Sequence, residues 1–139
     1  MSSVIIGKCL CEQITVSISK DVFTSASTGL CHCKNCRQAT GTIGSMNLIA
    51  AESTVKITGE PKIYQDSNTD SATTLQRAFC GNCGSPIYTQ SPNIPGVCIV
   101  KLGLFDEIPK PSMEIYCKSR FSWEKPIDDA KQFEAMPTK

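Results

Sequence analysis

The chain has 139 residues with 14 basic and 13 acidic side chains, a formal net charge of +1 at pH 7, one histidine and nine cysteines. That length fits one domain, read as residues 1–139, with material for a single core, and no run of like charge exceeds two residues, so no basic groove for nucleic acid is expected. The opening MSSVIIGKC lacks the apolar core of a signal peptide and no stretch approaches the ~20 apolar residues of a membrane span, so a soluble protein without a membrane partner is expected, in the cytoplasm or alternatively the nucleus.

In chain order the first signal is the CxC pair Cys9-Leu10-Cys11, and EQITVSIS (12–19) follows with Ile14, Val16 and Ile18 on one face. Cys31-His32-Cys33-Lys34-Asn35-Cys36 comes next, with a turn or two of helix expected after Cys36. Strands are then read at SMNLIAA (45–51), TVKITG (54–59), KIYQDS (62–67), LQRAFC (75–80), PIYTQ (86–90), GVCIVKLG (96–103) and EIYCKSR (114–120). Gly59-Glu60-Pro61 and the segment Ser91 to Gly96 punctuate them, and the tail from Ile127 to Glu134 is the other helical candidate. About eight short strands with little helix predict a mainly β fold of packed antiparallel sheets.

Nine cysteines are a heavy load for an intracellular chain. In a reducing compartment closely spaced thiols are better read as metal ligands or catalytic groups than as disulfides; a small secreted disulfide domain is the competing reading, disfavoured by the absent leader and the adequate size. Seven of the nine fall in three clusters. In an extended backbone residues i and i+2 share a face, so Cys9 and Cys11 can meet one metal while Leu10 points away. By the same geometry Cys31 and Cys33 face together and His32 turns to the opposite side, while Cys33 and Cys36 make a CxxC turn. That segment then supplies three thiolates, and the pairs Cys9–Cys11 and Cys80–Cys83 together complete a four-thiolate site of structural zinc type. Gly81 and Gly84 suit the tight turn at Cys80–Cys83.

Other residues carry plain readings. His32 reads as a packed or surface histidine, Cys98 and Cys117 as small buried apolar groups, and Lys34, Arg37, Lys118 and Arg120 as solvated charges. Cys98, Cys117 and His32 all stay open as a fourth ligand that would close the three-thiolate site.

The series CxC (Cys9–Cys11), CHCxxCR (Cys31–Arg37), FCxxCGSPIY (Phe79–Tyr88), GxxD (Gly103–Asp106) and KSRxxW (Lys118–Trp123) resembles the family of glutathione-dependent formaldehyde-activating enzymes and centromere protein V. The resemblance spans nearly the whole chain. It implies a β-tent fold related in architecture to methionine sulfoxide reductase B, with zinc-knuckle cysteine clusters. It also implies a structural zinc on Cys9, Cys11, Cys80 and Cys83 and a second zinc, catalytic or labile, on Cys31, Cys33 and Cys36. The activity it implies is carbon–sulfur lyase chemistry, the joining of glutathione and formaldehyde in S-(hydroxymethyl)glutathione and its reversal. Glutathione is thus the implied substrate or co-substrate. The sequence departs from the family pattern at Glu12, where glycine usually follows the CxC pair, at Glu114, where histidine is frequent, and at Ser122, where proline is common.

Three thiolates on Zn²⁺ leave a net charge near −1, which blunts water activation and suits a fourth position filled by a substrate thiol. The expected small-molecule partner is therefore a thiol adduct, with Cys31, Cys33, Cys36 and Arg37 as the catalytic set and Arg37 ahead of Lys34 as the cation for glutathione carboxylates. A non-catalytic zinc module that binds a protein or carries a thiol is the alternative. A redox enzyme is a third reading and would need an exposed, acidic Cys117.

Overall fold

The computed structural model describes residues 3–137. The smaller of its two sheets joins β1 (Val4–Lys8), β2 (Thr15–Ser19) and β5 (Val55–Thr58) in the order β1-β2-β5, all antiparallel. The larger contains β3 (Ser27–Cys31), β4 (Ser45–Ala51), β6 (Lys62–Asp66), β7 (Leu75–Phe79), β8 (Pro86–Gln90), β9 (Val97–Lys101), β10 (Met113–Ile115) and β11 (Lys131–Gln132). Its order is β11-β10-β3-β4-β9-β8-β7-β6. Two short helices, α1 (Lys20–Ser25) and α2 (Lys34–Thr40), complete the regular structure apart from single 3-10 turns.

Alternation along the central strands decides what each face does. Leu48 and Ala50 of β4 lie opposite Val100 and Cys98 of β9, and Tyr88 lies between Val100 and Ala78. These residues pack against Val16 and Ile18 of the small sheet in one apolar core closed by Phe23 and Phe105, whose ring centroids are 5.1 Å apart. Fully burying a side chain such as Leu48 contributes about 1.5–3 kcal/mol. The intervening residues, Asn47, Ile49, Ile99, Lys101, Thr89 and Arg77, therefore stand on the opposite face. That second face is not covered by the small sheet, and it carries the candidate site.

The mainly β architecture of packed sheets agrees with the sequence. Several details differ. The large sheet is mixed, because β10 pairs in parallel with both β3 and β11. Strands β1, β3 and β11 and helix α1 carry no clear signal: STGLC of β3 has no apolar alternation, and α1 follows β2 directly through its Ser19 cap, whose Oγ accepts from the Val22 N–H at 3.3 Å. The expected helix at 127–134 does not form. Asp129 takes a left-handed φ of 66° and β11 then pairs with β10. EIYCKSR is likewise not one strand, since Tyr116 at φ 54° ends β10 and puts Cys117 on a 3-10 turn. Strand β2 starts only at Thr15 because Cys9–Glu12 is a turn, closed by the Glu12 N–H on the Cys9 carbonyl at 3.0 Å. Glu12 sits there at φ 64°, the left-handed conformation that glycine takes most easily. No helix among the described residues is long and apolar enough to cross a membrane.

Candidate metal centres and their cavity

The Cys9–Cys11 turn and the Cys80–Cys83 turn meet at one end of the fold. Their four sulfurs all lie within 4.8 Å of one another, with Cys11 Sγ 3.6 Å from both Cys9 Sγ and Cys80 Sγ. A tetrahedron with ~2.3 Å arms has edges of about 3.8 Å, so the cluster has the size that a thiolate-bound zinc requires. Burial raises the Cys9 thiol, but donors reach two of the four sulfurs. The Ile14 N–H donates to Cys9 Sγ at 3.3 Å and Ser85 Oγ lies 3.3 Å from Cys83 Sγ. Hydrogen bonds from the Ser85 hydroxyl and backbone and from the Cys11 backbone hold the Cys83 thiol down to about 5. Gly84, at φ 81°, turns its N–H back onto the Cys80 carbonyl at 2.8 Å, a left-handed position that glycine takes without strain. The set of donors is all sulfur, closed at four, and fits a structural metal.

Cys31, Cys33 and Cys36 form the second cluster, their sulfurs again within 4.8 Å of one another. Cys31 ends β3. Cys33 caps α2, its Sγ accepting the Cys36 N–H at 3.3 Å, and the helix stops at Gly41 with φ 72°. The CxxC turn is thus the first turn of a helix, which places its sulfurs on one side. Hydrogen bonds from Cys31 and Cys33 push the Cys36 thiol well below its usual range against the effect of burial, with the charges of Lys101 and Arg77 reinforcing them. Cys31, donating to Cys33 and Cys36 and buried, is pushed up.

None of the three open candidates completes this cluster. His32 is 1% exposed and faces away, its Nε2 donating to Glu114 Oε1 at 2.7 Å. Glu114 also accepts from the Ile127 N–H at 2.8 Å and Gln132 Nε2 at 2.6 Å, and Arg120 Nη1 lies 3.6 Å from it. Arg120 therefore belongs to a buried polar network, not to solvent. Cys98 packs in the core on the far face of the sheet, where burial pushes its thiol up to about 11. Cys117 is buried, bonded to the Glu114 carbonyl at 3.4 Å, and burial raises its thiol, which removes the exposed acidic thiol that a redox site needs. All nine cysteines are free, and seven of them gather in the two sulfur clusters.

All three cysteines of the second cluster instead line a cavity of about 320 Å³ on the outer face of the large sheet. Ile49, Ile99, Met113 and Ile115 form its apolar wall, with Thr69, Ser71, Ser91 and Asn93 on polar loops around it. Its charged lining residues are Asp70, Arg77 and Lys101, and no local pattern places the two cations near the cysteines. Arg77 donates through Nε to Asp66 at 2.7 Å and points Nη1 at Cys36 Sγ, 4.0 Å away. Lys101 is buried, with Nζ 3.0 Å from both Ser45 Oγ and Asn47 Oδ1. A charge inside an otherwise apolar strand marks Lys101 in VCIVK, whereas Arg77 in LQRAF, beside Gln76, carries no such mark.

Lys34 and Arg37 lie outside the cavity lining. Lys34 is exposed at the start of α2. Arg37 lays its guanidinium 4.8 Å above the Phe121 ring, which stacks in turn on Trp123, and its buried Nε has no hydrogen-bond partner.

Residues 4–119 match the GFA family, described as glutathione-dependent formaldehyde-activating enzyme. A crystal structure of a Rhodobacter sphaeroides protein is similar in fold, with a TM-score of 0.55 and 20% identity over 76% of this chain and 91% of that one. No curated protein matches the chain.

Proposed function

We propose that this chain, which belongs to the family of glutathione-dependent formaldehyde-activating enzymes, is a zinc-dependent carbon–sulfur lyase acting on an adduct of glutathione, or a related thiol, with an aldehyde. The observation that carries the reading is the three-sulfur cluster of Cys31, Cys33 and Cys36, which opens onto a cavity with no fourth protein ligand among the described residues. Cys31, Cys33 and Cys36 would hold a zinc, which would supply a place for the substrate sulfur as thiolate. In the lyase direction the adduct's C–S bond breaks as its hydroxyl loses a proton and C=O forms, and in the reverse direction the thiol proton is released as the C–S bond forms.

The protein's own residues do the rest. Lys101 and Arg77 offset the negative charge gathered at the cluster. Ile49, Ile99, Met113 and Ile115 keep water from the sulfur and from the carbon being released. Lys34 and Arg37, outside the cavity, receive carboxylates of a tripeptide that extends from it. The Cys9, Cys11, Cys80 and Cys83 site joins residues near 10 to residues near 80 and holds the framework.

A non-catalytic zinc module would want the second cluster closed by protein, and His32, Cys98 and Cys117 are all otherwise engaged. The test is zinc content per chain with and without glutathione, followed by turnover of S-(hydroxymethyl)glutathione. Two zincs, the second perturbed by glutathione, together with turnover would support the lyase. Zinc indifferent to every thiol, with no turnover, would sink it.

A further inference from the structure

Two buried polar groups on the cavity face have no partner. Arg77 is 8% exposed and uses Nε on Asp66 and Nη1 on Cys36, yet its Nη2 is buried without an acceptor. Thr89 is 3% exposed and its Oγ1 is equally alone. The two residues stand directly opposite each other on β7 and β8, both on the cavity face. Thr89 lies opposite Ile99 of β9, and Lys101 follows two residues further along that same face. The Lys101 ammonium meets only the neutral oxygens of Ser45 and Asn47, and no carboxylate among the described residues lies within ion-pair distance of it.

Buried donors without acceptors are costly and rarely kept without a reason. Here both belong to residues that line one cavity, unlike the other unpartnered buried atoms, His32 Nδ1 and Arg37 Nε. Donors left without acceptors beside the cavity call for an acceptor that arrives with the ligand. Two donors side by side also match the two oxygens of a carboxylate.

We propose that Arg77, Thr89 and Lys101 form a receptor for an oxygen anion that the ligand carries a few bonds from its sulfur, so that the favoured ligands are thiols, or thiol adducts, bearing a carboxylate close to sulfur. The position of that sulfur rests on the function proposed above. The receptor discriminates between ligands of equal sulfur chemistry. Without it, a carboxylate would be repelled by a cluster of thiolates and bind less well than a plain alkyl thiol.

The probes are mercaptoacetate and ethanethiol, titrated calorimetrically into the zinc-loaded full chain, its Thr89→Val variant and its Arg77→Lys variant. Mercaptoacetate should bind at least about tenfold more tightly than ethanethiol to the wild type. Thr89→Val keeps the shape and removes the hydroxyl, so it should shrink that ratio several-fold, leave ethanethiol binding unchanged, and raise the thermal midpoint by deleting an unpaired buried group. Arg77→Lys should shrink the ratio too. Mercaptoacetate binding no more tightly than ethanethiol, or a ratio untouched by Thr89→Val, would overturn the receptor while leaving the thiol site standing. Failure of both thiols to bind the zinc-loaded wild type would overturn the thiol site, and the receptor with it.

Discussion

Lys101 Nζ lies 3.0 Å from Asn47 Oδ1, and the two residues are direct partners across the β9–β4 ladder on the cavity face. Asn47 Oδ1 also accepts from Ser45 Oγ at 2.8 Å, so the ammonium is anchored by neutral groups whose own bond would survive its loss. Burial pushes Lys101 down, while the charges of the nearby cysteines favour its charged form. Lys101→Met should therefore leave the fold intact and weaken zinc at the Cys31, Cys33 and Cys36 cluster. One lost charge near the thiolates is worth about 1–3 kcal/mol at an effective dielectric near 20, or roughly five- to 150-fold in affinity. Competition with a chromophoric chelator measures it, and an unchanged affinity would remove Lys101 from the charge balance.

The two sulfur clusters should fail differently. Cys83→Ser opens a closed site that ties the first turn of the chain to the β7–β8 connection, so folding itself should suffer, with a loss of several kcal/mol and a thermal midpoint no longer sensitive to chelator. Cys36→Ser alters a cluster on the outer face of a sheet whose core lies on the other side, and should leave a folded protein without thiol-adduct turnover. Circular dichroism melts beside turnover assays separate the two. A folded, fully active Cys36→Ser protein contradicts the lyase mechanism.

What could be read from the chain and what could not divides by distance along it. The nearness of Cys31, Cys33 and Cys36 is local, fixed by an extended pair and a CxxC turn, and is legible before any fold is known. The alternation of Val16 with Ile18 marks β2 just as directly. Arg77, Thr89 and Lys101 meet only through the registers of β7 with β8 and β8 with β9, which depend on bends and turns that no local pattern specifies. The parallel pairing of β10 with β3 and β11 is also a long-range outcome, and β11 is too short for any periodicity. His32 facing away from the sulfurs followed from strand geometry, but its partner Glu114 stands 82 residues later.

That pairing leads to a pH prediction. Burial alone would raise the Glu114 carboxyl, but hydrogen bonds from Gln132 Nε2, the Ile127 N–H and His32 Nε2 outweigh it and hold the group below its ordinary 4.5. A depressed folded value means that the stabilisation is present above the unfolded value and is lost as pH falls through the folded one. Glu114→Gln removes one acceptor oxygen and the charge, and should cost about 2–3 kcal/mol at pH 7. The gap should narrow as both proteins are titrated below pH 4.5. Denaturant melts across pH 3–7 measure it, and a gap independent of pH would show that Glu114 contributes through packing alone.

Arg37 offers the clearest separation between binding and chemistry. Its guanidinium lies 4.8 Å above Phe121 and outside the cavity lining, while Nε is buried without a partner and α2 carries Lys34 three residues earlier. Under the proposed function, a group so placed would meet a peptide carboxylate and not the reacting carbon. Arg37→Ala should therefore raise KM for a glutathione adduct roughly five- to thirtyfold, in keeping with about 1–2 kcal/mol for one charge-assisted contact, and leave kcat within about twofold. The loss of the aromatic contact should cost about 0.5–1 kcal/mol of stability at the same time. Arg37→Lys keeps a positive charge without the planar stacking, so it should recover part of the KM effect. The decisive control is an adduct of a small thiol that has no distant carboxylate: its KM should not respond to Arg37→Ala. If it responds as strongly as the glutathione adduct, Arg37 acts by holding α2 and the cysteines it carries, and the tripeptide must be bound elsewhere.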